Sequence, residues 1–553
     1  MNIAKRTLII GDLSGIQDYL FDVANEGGQQ ARRLRARSFF IQLAAECLAL
    51  RVLKAAGCSK QQLLFCGAGK FIIETDSLSD EQRQALATEQ QQLTKWLLDE
   101  TNGQLRFSLT VSNSGDSPQQ LYDTATQSLQ REKLRALAST SLSQNQWQPY
   151  SLILKQLDKP CALCERRTGT VPKFDQDTGE TRQVCRRCHK DLELGKKLPK
   201  ENNWIALRES GTSSFHFPGW NVSLHQEQPG SGYDWLIHLT TSAADIESVE
   251  PQIIRRALNR HIPIDGDGRP IQFSQLAEKA EGDNLLAVLK ADADSLGEYF
   301  NRQLDSASDF IPLKQASREM DSFFGITLYR EMEHHDWDSI YTIFAGGDDL
   351  LLVGPWNVIF DFAARANEMF RQQFGSRNLT LSAALSFLKP KQPIKRAVEQ
   401  AEELLHQAKT ITAPLANQPE DQFSAFGQVW KWSHHKAITD NAKQLAAWVT
   451  DGIAERGWLQ TLLRLSEWRR LRDAPDALAL ERMIGAMATS RLSYFVARNF
   501  PHKEDRDSEK RDLRQWADRL IDDFDSAKNV ETIYLPTIVR YAITATRAKN
   551  TRE

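Results

Sequence analysis

The sequence predicts an α+β protein of several domains: two ferredoxin-like domains, a linker domain with a zinc-binding insert, and a C-terminal helical bundle. Three observations lead to this fold class. One order of strands and helices occurs twice, four cysteines form two Cys-x-x-Cys pairs between the copies, and leucine, alanine, arginine and glutamate dominate the last part of the chain. We place the domains at 1–140, 141–282, 283–436 and 437–553.

Length, net charge and the lack of long apolar runs limit the number of domains and the kinds of partner that we expect. A chain of 553 residues has room for about three or four domains of ~150 residues each. A net charge of −3 argues against a protein that binds nucleic acid through bulk positive charge. No apolar run approaches ~18 residues and the N-terminus has no signal-peptide pattern, so we expect a cytoplasmic protein that does not contact membranes.

The first copy has the order β-α-β-β-α-β, which is the ferredoxin-like order. Its predicted elements are a strand at 6–11, a long amphipathic helix at 32–56, strands at 63–66 and 71–73, a helix at 79–100, a strand at 105–111 and a helix at 118–138.

The same order returns in the second copy. Its predicted elements are a strand at 285–290, a helix at 313–333, strands at 340–344 and 350–353, a helix at 358–374, a strand at 379–387 and a helix at 394–409. Asp12 precedes Phe65 by 53 positions, and Asp292 precedes Phe344 by 52. This near-equality indicates an internal duplication.

The turn Gly346-Gly347-Asp348-Asp349 is the strongest catalytic signal in the chain. Two glycines permit a tight hairpin with positive φ, and the hairpin carries two adjacent carboxylates. Asp292, at the end of an apolar strand, is predicted to lie beside them. Several carboxylates in one place repel each other unless cations bind, and oxygen ligands suit Mg²⁺ or Mn²⁺. The pattern therefore indicates a two-metal site for phosphoryl or nucleotidyl transfer.

Alignment of the two copies shows that they are not equivalent. Asp12 matches Asp292, and Ser14 matches Asp294, but Gly69 and Lys70 stand where the second copy has Asp348 and Asp349. The first copy keeps the hairpin and loses its carboxylates. We therefore expect one catalytic centre, in the second copy, and a degenerate first copy that still holds a nucleotide.

The cysteines Cys161, Cys164, Cys185 and Cys188 have the spacing of a structural zinc site. Each Cys-x-x-Cys pair suits a turn that supplies two thiolates to a tetrahedral ion. No open coordination position is implied. The other cysteines, Cys47, Cys58 and Cys66, are not part of this pattern, and Cys47 and Cys66 are predicted to be buried and inert.

Two basic features leave alternatives open. Arginines 32, 33, 35 and 37 open the first long helix, where they either bind phosphate or form a solvated first turn or a subunit contact. Lys409 ends the helix after the last strand of the second copy. It either reaches a triphosphate or simply complements the negative end of the helix.

These residues together resemble a known family. Gly11-Asp12-Leu13-Ser14-Gly15, the paired Cys-x-x-Cys insert, Ala291-Asp292-Ala293-Asp294-Ser295 and Gly346-Gly347-Asp348-Asp349 are similar to segments of the large polymerase/cyclase subunit of type III CRISPR–Cas effector complexes, nearer the Csm form than the Cmr form. The resemblance covers almost the whole chain, and its motifs are specific in combination.

The resemblance implies two Palm domains of the nucleotide-cyclase and polymerase type. It implies that the complex, once its guide RNA pairs with target RNA, joins ATP 3′ to 5′ into cyclic oligoadenylate in antiviral defence. The partners would be other type III subunits, with guide and target RNA reached through the complex. By position, Asp292, Asp348 and Asp349 would be catalytic and hold Mg²⁺ or Mn²⁺. The expected nucleotide-binding residues are Ser14, Gly346, Gly347, Asp294, Ser295 and Lys409.

One departure from the family pattern concerns DNA cleavage. Many members begin with an HD nuclease domain, whereas this sequence starts at the first Palm strand, so we expect no HD-type DNase activity. Two alternatives remain for the function: a related cyclase that makes another nucleotide signal, and a non-catalytic scaffold of the ribonucleoprotein.

Overall fold

The computed structural model describes the greater part of the chain. The described residues are 6–21, 30–112, 117–135, 137, 142–143, 146–147, 159–174, 179–199, 203–213, 215–240, 252–257, 261–305, 307–347, 349–390, 392–474, 476–502, 505 and 507–547. The chain divides into two compact units. The first unit contains 1–272, 295–351 and 391–395, and the second contains 273–294, 352–390 and 396–553.

The first copy contains a four-stranded antiparallel sheet and the predicted elements in the predicted order, with an additional short helix, α1, that was not predicted. The strand order is β2-β3-β1-β4, and β1 pairs with both β3 and β4. The elements are β1 (Arg6–Ser14), α1 (Ile16–Phe21), α2 (Gln30–Ala56), β2 (Leu63–Gly67), β3 (Lys70–Asp76), α3 (Asp80–Thr101), β4 (Arg106–Val111) and α4 (Pro118–Lys133).

Helix α2 differs from the prediction in one respect. We expected an amphipathic helix, but 20 of its 27 residues are buried, and they lie on all sides of the helix. A helix that is buried all round packs in the interior of a domain. The linker segment covers the side of α2 that would otherwise be exposed. For example, Trp220 donates through Nε1 to the Cys47 carbonyl at 3.0 Å.

The linker contains more regular structure than its irregular composition predicts. Five strands form a sheet in the order β10-β11-β9-β12-β13. These strands have only three to six residues, too few for a clear alternation of apolar and polar residues. The linker elements are β5 (Leu142–Ser143), β6 (Gln146–Trp147), β7 (Val171–Phe174), β8 (Thr181–Val184), α5 (Arg186–Lys197), β9 (Trp204–Arg208), β10 (Phe215–Phe217), β11 (Trp220–His225), β12 (Trp235–Thr240) and β13 (Ile253–Ala257).

The second copy repeats the predicted order and extends it. Its sheet has the order β15-β16-β14-β17-β18-β19. Two features were not predicted: helix α7 after the first strand, and the hairpin β18–β19 at the sheet edge. The elements are α6 (Phe273–Glu278), β14 (Leu286–Ala293), α7 (Leu296–Leu304), α8 (Ile311–Ser322) with a π turn (Phe323–Thr327), α9 (Leu328–Met332), β15 (Tyr341–Gly346), β16 (Asp349–Pro355), α10 (Trp356–Phe374), β17 (Leu381–Leu388), α11 (Ile394–Thr410), β18 (Gln422–Ala425) and β19 (Gln428–Lys431).

The strand registers agree with an internal duplication. In the first copy, Asp12 of β1 lies opposite Ser108 of the antiparallel strand β4. In the second copy, Asp292 of β14 lies opposite Ser382 of the antiparallel strand β17. The same aspartate–serine pair thus stands at the same place in each sheet, although the two sequences differ around it.

The remainder of the described chain is helical, as predicted for the C-terminal region. A core residue pair shows the packing: the rings of Trp448 and Trp516 lie 5.9 Å apart. None of the described helices has the combination of length and apolar composition needed to cross a bilayer. The elements are α12 (Trp432–Thr450), α13 (Arg456–Asp473), α14 (Ala479–Ala486), α15 (Ala488–Asn499), α16 (Ser508–Asp523), α17 (Val530–Ile533) and α18 (Leu535–Ala545).

Candidate nucleotide and metal sites

An aspartate–lysine pair lies at the end of strand β14 in the second unit. Lys409, in the last turn of α11, places Nζ 2.9 Å from Asp292 Oδ2 and 3.7 Å from Asp294 Oδ1. The side chains of Asp292 and Lys409 are 32% and 25% exposed, so solvent or a ligand reaches both. The helix therefore brings a cation to the strand end at which the sequence predicts metal and phosphate binding.

Asp294 has a different environment from Asp292. It is buried, and its Oδ2 accepts hydrogen bonds from Thr380 Oγ1 at 2.8 Å, Ser382 Oγ at 3.0 Å and the Asp421 backbone N–H at 3.0 Å. These bonds tie the end of β14 to β17 and to the loop before β18. The geometry favours a positioning role for Asp294, which holds the strand end that carries Asp292.

The hairpin between β15 and β16 belongs to the first unit. The structure constrains its two glycines, Gly346 and Gly347, to different degrees. Gly347 has φ +68°, and a Cβ there would lie 2.7 Å from the Ala68 Cβ in the turn of the first copy. A Cβ on Gly346 would meet no atom within 4 Å. Gly347 is therefore required by backbone conformation and close packing, whereas Gly346 leaves open space for a ligand. Asp349 is half-buried, and Asp348 lies outside the described residues.

The two serines predicted to bind nucleotide, Ser14 and Ser295, lie near the end of the first strand of their own copy. Ser14 ends β1 and is half-buried; the next residue, Gly15, has φ +83°, and a Cβ there would lie 2.0 Å from the Gln104 carbonyl oxygen. Ser295 follows β14, is exposed, and has φ +53°. Both chain segments thus make a sharp, left-handed turn into a helix. The assignment of both serines to nucleotide binding stays a prediction.

The first copy contains an aspartate–lysine pair that sequence reasoning missed. Lys133, in the last turn of α4, lies 2.9 Å from Asp12 Oδ1. Burial raises the pKa of Asp12, while Lys133 and Lys70 oppose that rise. The signal was present in the sequence, because Lys133 ends the helix after the last strand just as Lys409 does.

A cavity of about 260 Å³ opens beside Asp12 within the first unit. The hairpin turns of both copies contribute to its wall through Gly67, Ala68 and Gly347. Its aromatic wall consists of Phe65, Tyr122 and Phe300.

The four predicted zinc ligands meet in one place. The ligand atoms of Cys161, Cys164, Cys185 and Cys188 all lie within 4.8 Å of one another, and the sulfurs of Cys164 and Cys185 are 3.8 Å apart. A tetrahedral Zn²⁺ with Zn–S bonds of about 2.3 Å separates its sulfurs by about 3.8 Å. The cluster therefore fits a structural zinc ion, and no other compact group of three or more such ligands occurs among the described residues.

The arginines that open α2 have a structural role around this cluster. Arg33 is 1% exposed; it donates to the Leu163 carbonyl at 2.8 Å and to Cys188 Sγ at 3.6 Å. Arg35 donates to the Gly195 carbonyl at 3.0 Å, and Arg37 to Asp191 at 3.2 Å. These three side chains are neither solvated nor aimed at an open phosphate site. They anchor the cysteine-containing segment on the first copy, and Arg33 offsets thiolate charge.

Cys47 and Cys66, which we predicted to be buried and inert, are buried thiols. Cys47 and Cys66 are 0% and 7% exposed, and burial raises the pKa of both well above the usual value. They are protonated and unreactive at neutral pH.

Comparison with known protein families matches two parts of the chain. Residues 285–413 match the second palm domain of Cas10/Cmr2, and residues 5–161 match domain B of the Csm1 subunit. The first match covers the second copy from β14 through α11, and the second covers the whole first copy.

Curated relatives carry one common description. The chain is 27% identical over 430 residues to the CRISPR system single-strand-specific deoxyribonuclease Cas10/Csm1 (subtype III-A) of Thermococcus onnurineus, covering 73% of this chain and 54% of the relative. It is 22% identical over 529 residues to the protein of the same description from Streptococcus thermophilus, covering 90% of this chain and 63% of the relative. The chain thus spans between about half and two thirds of the length of these relatives.

Solved structures agree in fold over nearly the whole chain. A Csm1–Csm4 subcomplex of the type III-A Csm interference complex aligns with a TM-score of 0.70 at 18% identity, covering 98% of this chain and 70% of that one. Csm1–Csm4 cassettes in complex with cA4 and with one ATP align with TM-scores of 0.70 and 0.71, each at 18% identity, covering 99% of this chain and 70% of the other. The two domain matches, the curated relatives and the common fold agree that this chain is similar to Cas10/Csm1, the large subunit of type III CRISPR systems.

Proposed function

We propose that this chain synthesises cyclic oligoadenylate from ATP as the Csm-like large subunit of a type III CRISPR effector complex when target RNA is bound. The observation that carries the proposal is the asymmetry of two similar folds. In the second copy Lys409 lies 2.9 Å from Asp292 and 3.7 Å from Asp294, whereas in the first copy Lys133 pairs with Asp12, and Ser14 stands in the place of the second carboxylate. The relatives whose structures contain ATP, cA3 and cA4 support the identity of the substrate and product.

The metal-binding residues in this proposal are Asp292, Asp348 and Asp349. Carboxylate oxygens are suitable donors for Mg²⁺ or Mn²⁺. A bound divalent ion would lower the pKa of an attacking ribose hydroxyl and neutralise charge on the phosphates.

The other residues of the second copy position substrate and strand. Lys409 pairs with Asp292, and in this proposal its ammonium group receives the negative charge of the phosphates. Asp294, fixed by three hydrogen bonds, keeps the end of β14 in place. The open space around Gly346 permits a ligand to approach the backbone closely. Each joining step forms one 3′–5′ phosphodiester bond and releases pyrophosphate.

The proposed partners follow from the same family. The relatives were solved together with Csm4, so we propose that this chain binds a Csm4-type subunit and reaches guide and target RNA through the complex. The relatives are named as deoxyribonucleases; the absence of HD-type DNase activity from this chain stays a prediction. Incubation of the purified chain with single-stranded DNA and Mn²⁺ tests it, and cleavage would contradict it.

The test of the main proposal is product formation by the assembled complex. The complex is incubated with target RNA, ATP and Mg²⁺, and the products are identified by mass spectrometry. We expect cyclic oligoadenylate from the unmodified chain and none from the variant Asp348→Asn with Asp349→Asn. The matched control is Asp440→Asn, an exposed aspartate that pairs with Lys436 on α12, and it should retain synthesis.

Three outcomes would contradict the proposal in different ways. Synthesis that persists in the double variant removes the hairpin from catalysis. Products from another nucleotide identify a related cyclase. Normal assembly without any nucleotide turnover identifies a scaffold subunit.

A further inference from the structure

A buried lysine lies two residues before Asp292 on strand β14. Lys290 is 4% exposed, and its ammonium group forms an ion pair with Glu402 of helix α11. The side chain of Glu402 is half exposed, so the pair extends from the covered face of the strand towards solvent. Neither residue has a role in the proposed reaction, although Lys290 is next to Asp292 on the same face of β14.

Two ion pairs join one face of the helix to one face of the strand. Side chains alternate along a strand, so Lys290, Asp292 and Asp294 share a face of the sheet. Glu402 and Lys409 are seven residues apart, which is about two helical turns, so they share a face of α11. Lys290 pairs with Glu402, and farther along both elements Asp292 pairs with Lys409 at 2.9 Å. The position of the helix along the strand therefore sets both contacts.

The order of the charges opposes a displacement of the helix along the strand. If α11 moved towards the end of β14, Glu402 would approach Asp292. If it moved in the other direction, Lys409 would approach Lys290. Either displacement brings like charges together, and their repulsion is strong where the protein shields them from water.

The first copy has an uncharged pair at the corresponding places. In the aligned copies, the counterparts of Lys290 and Glu402 are Ile10 and Thr126, which precede Asp12 and Lys133 by the same intervals. Ile10 is fully buried and belongs to an apolar cluster that includes side chains of α4. An apolar contact is thus sufficient to hold this helix on this strand.

Stability does not account for the charged pair of the second copy. Removal of an ammonium group from water is costly, and replacement of a buried ion pair by apolar residues of similar volume is often neutral or stabilising. A buried ion pair can instead select one packing arrangement over its neighbours. The arrangement selected here is the one that places Lys409 between two carboxylates.

We propose that the Lys290–Glu402 ion pair fixes the position of α11 along β14 and thereby holds Lys409 beside Asp292 and Asp294. Lys290 and Glu402 are positioning residues, since they act on the reaction through Lys409. Their effect on the reaction rests on the proposed function, whereas the placement of the helix does not.

The first experiment replaces the pair by the residues of the first copy, Lys290→Ile with Glu402→Thr, in the purified full chain. We expect a thermal unfolding midpoint that is unchanged or higher, because no buried charge remains. Amide hydrogen exchange, measured by mass spectrometry, should become about threefold faster or more at residues 405–410, because the last turns of α11 are then less firmly held.

Three further variants test the cause of that change. Lys290→Arg keeps the charge and should retain the slow exchange of the unmodified chain. Lys290→Met should give fast exchange and serves if the double variant does not fold, because the half-exposed Glu402 is then left in contact with water. The matched control is Lys443→Ile with Asp361→Thr, which removes an ion pair between α12 and α10 and should leave exchange at 405–410 unchanged.

The second experiment measures product formation by the assembled complex in a double-mutant cycle. The pair replacement should lower the rate about tenfold, since a small misplacement of a reacting group is costly. In chains that already carry Lys409→Ala, the same replacement should lower the rate less than about twofold, because the group through which the pair acts is gone.

Two results would overturn the inference: unchanged exchange at 405–410 in the folded double variant, or an equal loss of rate with and without Lys409→Ala. The second result would show a general structural role for the pair. An unmodified complex that makes no cyclic product contradicts the proposed function alone, because the exchange measurement still decides whether the pair places the helix.

Discussion

Lys409 places a positive charge beside the two carboxylates, Asp292 and Asp294, at the end of strand β14. It is only partly exposed and points at two carboxylates. The sequence left open whether this lysine binds phosphate or only complements the helix terminus. Its 2.9 Å contact with Asp292 favours the first alternative, since the ammonium group then lies beside a carboxylate that we propose binds the metal ion of a nucleoside triphosphate.

We therefore expect Lys409→Ala to lower the rate of cyclic product formation about 10²-fold, in the range observed when one charge-stabilising donor is removed from an active site. The rate is measured by chromatography of labelled products from the assembled complex. Lys436→Ala is the matched control, because Lys436 is exposed and pairs only at the surface with Asp440. A rate for Lys409→Ala within a factor of three of the control would remove Lys409 from the reaction.

His435 is a second residue whose environment has a measurable consequence. It is buried and packs against the rings of Phe360 and Phe423. Trp430 Nε1 donates to its Nδ1 at 3.2 Å, so Nδ1 is an acceptor and the neutral ring carries its proton on Nε2. Burial lowers the pKa of His435 to about 4, with a smaller contribution from Lys443.

Acid should destabilise the fold through His435. The unfolded chain has a histidine of ordinary pKa, about 6.5, and binds a proton before the folded chain does as pH falls. The stabilisation is complete above about pH 6.5 and is lost towards pH 4, at a cost of about 2 kcal/mol between pH 7 and pH 5. Urea unfolding at both pH values measures it. His435→Gln should show a smaller pH dependence, and an identical dependence would contradict this account.

At the scale of elements, the turn of the β15–β16 hairpin is packed against the corresponding turn of the first copy. Gly347 and Ala68 both have positive φ, and a Cβ on Gly347 would lie 2.7 Å from the Ala68 Cβ. The second residue of the Gly-Gly pair is therefore constrained twice, by its own conformation and by the neighbouring turn. The sequence indicated only the first of these constraints.

Gly347→Ala should destabilise the chain by more than the cost of positive φ, which is about 1–2 kcal/mol. The additional Ala68→Gly substitution should restore the part due to the clash. Gly452→Ala measures the conformational part alone, because Gly452 has φ +73° and no atom within 4 Å of a Cβ. Urea unfolding midpoints measure all four proteins. A failure of Ala68→Gly to recover any stability would show that the two turns do not limit each other.

At the scale of the whole molecule, the first unit is held together by contacts between the linker and helix α2. Three buried arginines of α2 bond to the segment around the zinc ligands. On the same helix, Glu46 forms an ion pair with Arg256 of β13, with Nη2 and Oε2 3.2 Å apart. The cysteine cluster is thus attached to helix α2 of the first copy and does not form an independent appendage.

Loss of zinc should therefore affect α2 as well as the cluster. We expect Cys188→Ser to lower zinc content and to speed amide hydrogen exchange in Gln30–Ala56, because Arg33 loses its bond to the thiolate and structural zinc contributes directly to folding. Cys58→Ser is the control, since Cys58 lies outside the cluster. Changes confined to the residues around the four cysteines would contradict this coupling.

The sequence predicted what depends on local pattern. Periodicity, glycine turns and the equal spacings from Asp12 and Asp292 were enough for two ferredoxin-like copies, and the spacing of Cys161, Cys164, Cys185 and Cys188 was enough for the zinc cluster. It did not predict the five-stranded linker sheet or the β18–β19 hairpin, because strands of three to six residues carry too little pattern and are stabilised by their neighbours.

The sequence by itself determined the duplicated fold, the loss of acidic residues from the first copy, and the cysteine cluster. The tertiary structure decided how individual charges are used. In the folded chain Lys133 pairs with Asp12, which is 121 positions away in sequence. The arginines of α2 are buried and bond to the segment around the cysteines, and Asp294 accepts hydrogen bonds that hold the end of β14. The physical reason is that a charged side chain acquires its role from the partners and the burial that long-range packing provides, and neither is encoded in the residues beside it.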